Sequence, residues 1–397
     1  MSVVLLGSTS GSVTLQEPAI AGSTVIDLPA TSGTMAVLPT ATSVLPEASG
    51  GTGTTTGYYG FKNRIINGAM VLFQRGTAAT TDFAYSVDRW RFAKSNDATE
   101  SVSQSTDAPV GFSYSLRNTI STGDATIGAT QFSGFQQLIE GYNIADLNWG
   151  TANAQPITIS FWIRSSVTGT YTGNVRNSDD TRINPFNFTI SSANTWEKKT
   201  ITITGDTSGT WQSTTSAGII FAVYAALGSS YTGGTAGTWG TTPAFGCGSP
   251  VNGIASNGNI FAISGVQLEK GSTATSFDYR PYGTELALCQ RYYQRWNTGT
   301  AGIATWGAGP AVSATRVDRA GATLSTPMRS SPTFNYSSIR LYDGTGAPSV
   351  TAISSNSCTA TNMCVDLSAS GGGLTTGRIV ILIENGASGY IDFSAEL

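Results

Sequence analysis

The chain contains no histidine. That absence removes a Ser-His-Asp triad, a Cys-His nucleophile pair, an imidazole proton shuttle and His-ligated zinc. Any catalysis would fall to carboxylates, tyrosines or lysines. Charge is scarce as well. Asp, Glu, Lys and Arg make up 11% of the sequence, where globular proteins carry about 25%. A net charge of -3 supplies no broad basic field, so nucleic acid is not an expected partner. The longest apolar run, Ala217 to Leu227, falls well short of the roughly 20 residues a spanning helix needs, so no membrane insertion is expected. SVVLLG near the start is short and lacks the basic flank of a signal peptide. The four cysteines show no C-x-x-C pattern, and no metal or cofactor is expected. Cys358 and Cys364 read either as a bridge across a hairpin or as free thiols of a protein made in a reducing cytoplasm.

What is abundant is glycine, with 47 residues, together with serine and threonine. Apolar residues at 40% are enough for packed cores. Short strands joined by tight turns are the expected result. In ITISFWI, Ile157, Ile159, Phe161 and Ile163 alternate with Thr158, Ser160 and Trp162, the period of a strand with one buried face. IIFAV, residues 219–223, is apolar on both faces and reads as a central strand. TITIT, IFAIS and DRWRF repeat the pattern, and NG, GDTSG, GTAG and NGN mark turns. The fold class is mostly β: antiparallel sandwich or jelly-roll domains in series with a short connecting helix.

The expected organisation has five parts. Residues 1–47 hold short apolar pieces, too small to fold alone. Residues 48–57, rich in Gly and Thr, form a linker. Residues 58–283 form a β-sandwich, residues 284–298 a helix, and residues 299–397 a second sandwich of seven or eight strands. Thr284 is the expected N-cap of the helix, with Glu285 in its first turn and Gly299 as its stop. Leu286, Cys289, Tyr293 and Trp296 make one stripe at helical spacing. That stripe packs either on its own domain or against symmetry mates on a threefold axis. The stretch from Gly265 to Trp296 gathers charge and aromatics that the rest of the chain avoids, and within it Asp278 and Arg280 are placed to pair.

Three groups of residues invite a chemical reading. Asp179 and Asp180 are adjacent, so they point to opposite faces of a strand and do not flank a sugar by themselves; a polar loop is the plainer reading. Trp211, Tyr231, Trp239 and Trp306 lie in Gly/Thr/Ser-rich stretches or loops, where exposed rings could stack on sugar faces, or else pack in a core. Tyr342 and Asp343 fall in RLYDGTG, which reads as a turn. Asn187 and Asn335 match the glycosylation sequon, which carries little weight without a signal peptide.

NRIINGAMVLFQRG followed by VDRWRF resembles the start of a domain of bacteriophage tail fibre proteins, and GVQLEKGSTATSFDYRPYGTELALCQRYYQRW resembles the segment closing that domain. YIDFSAEL at the end, and GSVTLQEPAIAGSTVIDLP near the start, are similar to other parts of such fibres. The resemblance implies a homotrimer that joins a phage tail, baseplate or adaptor protein through its N-terminal segment. It implies assembly in the host bacterial cytoplasm, residence in the virion, and a distal part that binds a cell-surface receptor, often a glycan. The middle region resembles a carbohydrate-binding-module-like jelly roll. On this reading the protein is not an enzyme. The last sandwich is the tip, with Trp306, Tyr336, Arg340, Tyr342 and Asp343 as receptor contacts. Leu286, Cys289, Tyr293, Trp296, Asp278 and Arg280 form the trimer or domain junction. Two alternatives stand beside it. One is a tailspike-type depolymerase with paired carboxylates, for which the repeats of a β-helix are missing; the other is a purely structural tail or decoration protein.

Overall fold

A computed structural model describes residues 3–6, 12–15, 61–241, 243–297, 305–355, 358–384 and 389–397. The chain divides into two compact units, residues 1–57 and 58–397. In the first, β1 (Val3–Leu6) and β2 (Ser12–Leu15) pair antiparallel. The expected linker, residues 48–57, lies outside the described residues.

The second unit begins with β3 (Arg91–Ser95), β4 (Thr99–Ser105), β5 (Ser115–Thr122), β6 (Phe132–Glu140) and β7 (Ile157–Ser165). It continues with β8 (Gly169–Arg176), β9 (Ile183–Ile190), β10 (Glu197–Ile203), β11 (Ala217–Leu227) and β12 (Ile260–Lys270). These make two five-stranded antiparallel sheets, in the orders β10-β7-β12-β5-β4 and β3-β6-β11-β8-β9. Ile157, Ile159, Phe161 and Ile163 are fully buried between them, as their alternation predicts. Phe135, Tyr171, Phe186, Phe188, Phe221 and Phe261 fill the same core, with ring centroids 5.4–6.4 Å apart in the closer pairs. Burying one such ring is worth about 1.5–3 kcal/mol. β11 is apolar on both faces because its outer side is covered too: Tyr231 and Phe245 pack over Ala222, Tyr224 and Leu227.

Then come α1 (Tyr282–Gln290), β13 (Tyr293–Trp296), β14 (Thr305–Ser313), β15 (Arg316–Thr323), β16 (Thr333–Ser337) and β17 (Ile339–Tyr342). β18 (Val350–Ser355), β19 (Asn362–Ala369), β20 (Ile379–Glu384) and β21 (Tyr390–Ser394) follow. They form a six-stranded sheet, β17-β20-β14-β15-β19-β18, and a three-stranded one, β13-β21-β16. A second core, including Trp306, Leu341, Val365, Leu367, Leu382, Ile391 and Phe393, is shared by the two sheets.

The helix differs from its expected span. It starts at Tyr282 with Pro281 at the N-cap, in place of Thr284, and ends at Gln290. Tyr293 and Trp296 belong to β13, where Tyr293 faces Ser394 and Trp296 faces Ile391 of β21. The single stripe is therefore split. Leu286 and Cys289 stay on α1 and pack with Ile66, Leu72 and Tyr292. Trp296 meets Phe393 at 4.6 Å between centroids. Aromatic residues suit a pleated surface, and the open edge of β21 supplies backbone partners that a third helical turn would forgo. Asp278 and Arg280 do not pair with each other. Arg280 pairs with Glu285 at 3.2 Å and donates to the carbonyls of Asn63 and Ile65, while Asp278 accepts the Asn63 N–H.

Both therefore hold the irregular segment before β3. That segment is also stapled by Asn67, which sits at φ 57° and bonds the backbone of Leu72 and Asp88 through its amide. Trp90 donates its indole N–H to the Asn67 carbonyl at 3.1 Å.

The last residues close onto this segment. Glu396 pairs with Arg89 and, at 3.0 Å, with Arg75. Arg89 is 1% exposed, lies 3.6 Å over the Tyr292 ring and donates to the Leu138 carbonyl. Burial works against its charge, but Glu396 together with Tyr292, Tyr85 and Cys289 more than offsets it, so its pKa stands above the usual arginine value. Arg329 clasps the carbonyls of Ala395, Glu396 and Thr215. Glu396→Ala would leave a buried guanidinium without its carboxylate. The expected loss is about 3–5 kcal/mol, read as a lower urea midpoint.

Asp88 lies beside this cluster, accepts from the Gln74 side chain at 2.6 Å and is 3.6 Å from Arg75. Burial pushes its pKa up to about 6. The folded chain then binds this proton more tightly than the unfolded chain, so the contribution of Asp88 to stability falls as pH rises from about 4 to about 6. Asp88→Asn should flatten the stability profile there by up to about 1.4 kcal/mol per pH unit, relative to wild type. Urea unfolding at pH 4, 5, 6 and 7 measures it, and parallel profiles for the two proteins would disprove the assignment.

Candidate functional site

Strand alternation builds one wall of a cleft. On the three-stranded sheet, Tyr293, Ser394 and Thr333 form one cross-strand row, and Arg295, Asp392 and Asn335 the next. Tyr390 lies on the same face. The opposite wall comes from the segment that precedes β3: Arg75, Thr77, Phe83, Ala84 and Tyr85. Between the walls is a cleft of about 410 Å³, within the range of small-ligand sites.

Its charged groups are fixed by one another. Arg295 grips Asp392 through two bonds of 2.6 and 2.7 Å and lies 4.0 Å over the Tyr390 ring. Arg295 also donates to the Arg75 carbonyl. Arg75 stacks 3.6 Å over Tyr293 and 5.1 Å from Tyr85. Such planar cations over rings hold the cleft's shape. Burial, then the Glu396 charge, pushes the Tyr85 hydroxyl up to about 12. Burial and the neighbouring Asp392 charge push Tyr293 higher still. Both phenols therefore stay protonated near neutrality. Tyr85 donates to the Leu397 carbonyl at 3.1 Å, and the Tyr293 hydroxyl lies buried beside Asp392.

Phe83 is 48% exposed at the rim, and Thr333 and Asn335 are exposed. The arrangement offers apolar ring faces and hydroxyl and amide groups able to bond a polyol. Among the described residues lining the cleft, Asp392 is the single carboxylate, and both its oxygens are held by Arg295.

Tyr293 is the one residue of the expected receptor and junction sets that lines this cleft. The expected receptor contacts lie elsewhere. Trp306 is 8% exposed in the second core. Tyr336 pairs with Ile391 and packs on that core. Arg340 is half-buried within β17, and Tyr342 is 41% exposed at its end. The Asp343 carboxylate accepts from the backbone of Thr345, Gly346 and Thr375 and from the Thr345 hydroxyl. Those bonds lower its pKa far below the usual value and staple a turn.

Of the two readings of Trp211 and Trp239, the structure shows the packed one. Trp211 and Trp239 stand 4.6 and 5.3 Å from Trp149, and their indoles bond the carbonyls of Ser208 and Thr204. Asp180 pairs with Arg176 at 2.6 Å, so the Asp179–Asp180 stretch is a polar loop. Cys358 and Cys364 are free thiols, and the Cys358 sulfur bonds the Cys364 backbone. No group of three or more acidic or cysteine side chains among the described residues is placed to hold a metal.

Most of the cleft, including Arg75, Phe83, Tyr85, Asn335, Tyr390 and Asp392, was absent from the sequence-based expectations. One signal was available: in YIDFSAEL, Tyr390, Asp392 and Ser394 alternate with Ile391, Phe393 and Ala395. A strand with a wet, functional-looking face was legible there; the wall opposite it was not.

No family model matches the chain, and no curated protein matches it. Solved structures that it resembles include the enzymatically active domain of tailspike protein 4 of bacteriophage CBA120, at 14% identity and a TM-score of 0.28 over 53% of this chain. The chain spans about a fifth, 21%, of that structure. Another is TmCBM61 in complex with β-1,4-galactotriose, at 11% identity and a TM-score of 0.27, covering 53% of this chain and 99% of that one. A third is the family 11 carbohydrate-binding module from Clostridium thermocellum in complex with a mixed-linked tetrasaccharide, at 10% identity and a TM-score of 0.26, covering 50% and 98%. Scores this low assign no shared fold, so the sandwich architecture rests on the chain's own sheets and any function on its own residues.

Proposed function

We propose that this chain is a receptor-binding tail fibre protein of a bacteriophage, which takes a bacterial surface glycan into the cleft between its two sandwiches and does not cut it. The observation that carries the reading is the cleft's composition. Rings of Phe83, Tyr85 and Tyr390 border hydroxyl and amide side chains of Thr77, Thr333, Asn335 and Ser394. Sugars present flat C–H faces to rings and hydroxyls to polar groups, and pockets of this mixed kind are the usual form of small-ligand sites. Retaining or inverting hydrolysis calls for two carboxylates flanking the bond, and the cleft's one carboxylate is committed to Arg295. In this reading residues 1–47 attach to the tail, three copies assemble, and residues 58–397 face the host. The resemblance of NRIINGAMVLFQRG and of Gly265 to Trp296 to fibre segments supports the assembly.

Labelled full-length chain is to be incubated with a panel of bacterial strains before and after periodate oxidation or protease treatment of the cells. Binding should fall at least tenfold after periodate and persist after protease. Tyr390→Ala, which removes a ring worth about 1.4 kcal/mol of contact, should weaken binding about tenfold with the fold intact by circular dichroism. Binding that survives periodate and disappears after protease would replace the glycan with a protein receptor.

A further inference from the structure

The rim of the cleft at Phe83 adjoins a second surface. Tyr85 bridges Arg91 in antiparallel register, which places the cleft wall beside the outer face of the β3-β6-β11-β8-β9 sheet. Across that face runs a row of Arg91, Gln136, Ala222 and Asn174. The Arg91 guanidinium lies 4.3 Å from the centre of the Phe83 ring, the same ring that forms the cleft's rim.

Arg91 differs from the arginines inside the cleft. Arg75 and Arg295 each have a carboxylate partner, whereas Arg91 makes no ion pair among the described residues. Among the described residues its guanidinium makes one hydrogen bond, from Nη2 to the Gln136 amide oxygen at 2.6 Å. Nε is buried with no hydrogen-bond partner among the described residues. Asp82 acts on it only through space, its carboxylate being bonded to the Lys94 backbone N–H at 2.9 Å. The nearby Arg176, already satisfied by Asp180 and Asn174, adds a like charge. Burial first, then Arg176, lowers the Arg91 pKa from its usual value. A partly desolvated guanidinium without a counter-ion is unfavourable in the free protein. An oxyanion arriving from solvent would relieve it, and a guanidinium fork suits a carboxylate or a phosphate.

We infer that Arg91 reads an acidic group on the bound glycan: the saccharide in the cleft carries a carboxylate or phosphate that reaches past Phe83 onto the free edge of the Arg91 guanidinium. The inference rests on the glycan reading of the cleft and adds its charge class. The acidic residue of the saccharide lies on the middle sandwich while its neighbours lie between Tyr85 and Tyr390.

The test is titration calorimetry of the full chain with trigalacturonate, the neutral galactotriose, galactose 6-phosphate and galactose, at 50 and 300 mM NaCl. Trigalacturonate should bind at least about tenfold tighter than galactotriose at low salt, with the gap narrowing at high salt. A gain for galactose 6-phosphate over galactose, with none for trigalacturonate, would identify phosphate as the anion and keep Arg91 as its reader. Arg91→Gln should erase the acidic preference and leave galactotriose binding unchanged, which also shows that the variant is folded; Arg91→Lys should restore part of the preference. Equal binding of neutral and acidic probes by wild type would overturn the inference while leaving the glycan reading in place. So would an acidic preference that survives Arg91→Gln, or no binding of either acidic probe. Failure of every saccharide together with periodate-resistant cell binding would overturn the glycan reading itself.

Discussion

Glu396 against Arg89 is the contact on which the architecture turns. The guanidinium lies inside the molecule, under the Tyr292 ring, and its carboxylate comes from the far end of the sequence. The chain has little charge to spend, and this is where it is concentrated: Arg75, Arg89, Arg291, Arg295 and Arg329 meet Glu140, Asp88, Asp392 and Glu396 within a few side-chain lengths. Threonine-rich strands pack by shape and backbone pairing alone. Where two sandwiches must keep one relative geometry, paired guanidinium and carboxylate groups add direction.

The cleft is a by-product of the same closure. Arg75 bonds Glu396 on one side and stacks on Tyr293 on the other. Arg295 grips Asp392 and at the same time donates to the Arg75 carbonyl. The side chains that join the sandwiches are therefore the ones that shape the space between them. Arg91, on β3 beside the rim ring Phe83, lies outside this web of pairs among the described residues.

Much of the fold was readable in the residues themselves. The alternation in ITISFWI and YIDFSAEL placed strands with the correct faces inward, and IIFAV marked a strand covered on both sides. The charged stretch from Gly265 to Trp296 announced a junction. Its helix was overextended because Tyr293 and Trp296 continue a helical spacing that is equally compatible with alternation on a strand. Only the presence of β21, a hundred residues later, decides between them. The expected receptor contacts lie outside this cleft. Asp343 in RLYDGTG looks like a ligand group until its acceptors are seen filled by the backbone of its own turn and of Thr375. The cleft needed residues 75–85, 293–295, 333–335 and 390–394 to be brought together, and no local pattern in any one of them encodes the other three.

The reach of the Arg89–Glu396 contact, 307 residues along the chain, has a kinetic side. Closing so long a loop carries an entropy cost before its contacts can repay it, and topologies dominated by such distant pairings fold slowly. The segment containing Arg89 is made early, and its carboxylate partner Glu396 follows 307 residues later. Until the final strand arrives, it presents a buried-type guanidinium and the Tyr292 ring to water. A protein divided near residue 297 would yield two pieces, each with a core of its own, neither of which carries both halves of the seam. The boundary visible in the order of the sheets is thus no place to cut the molecule.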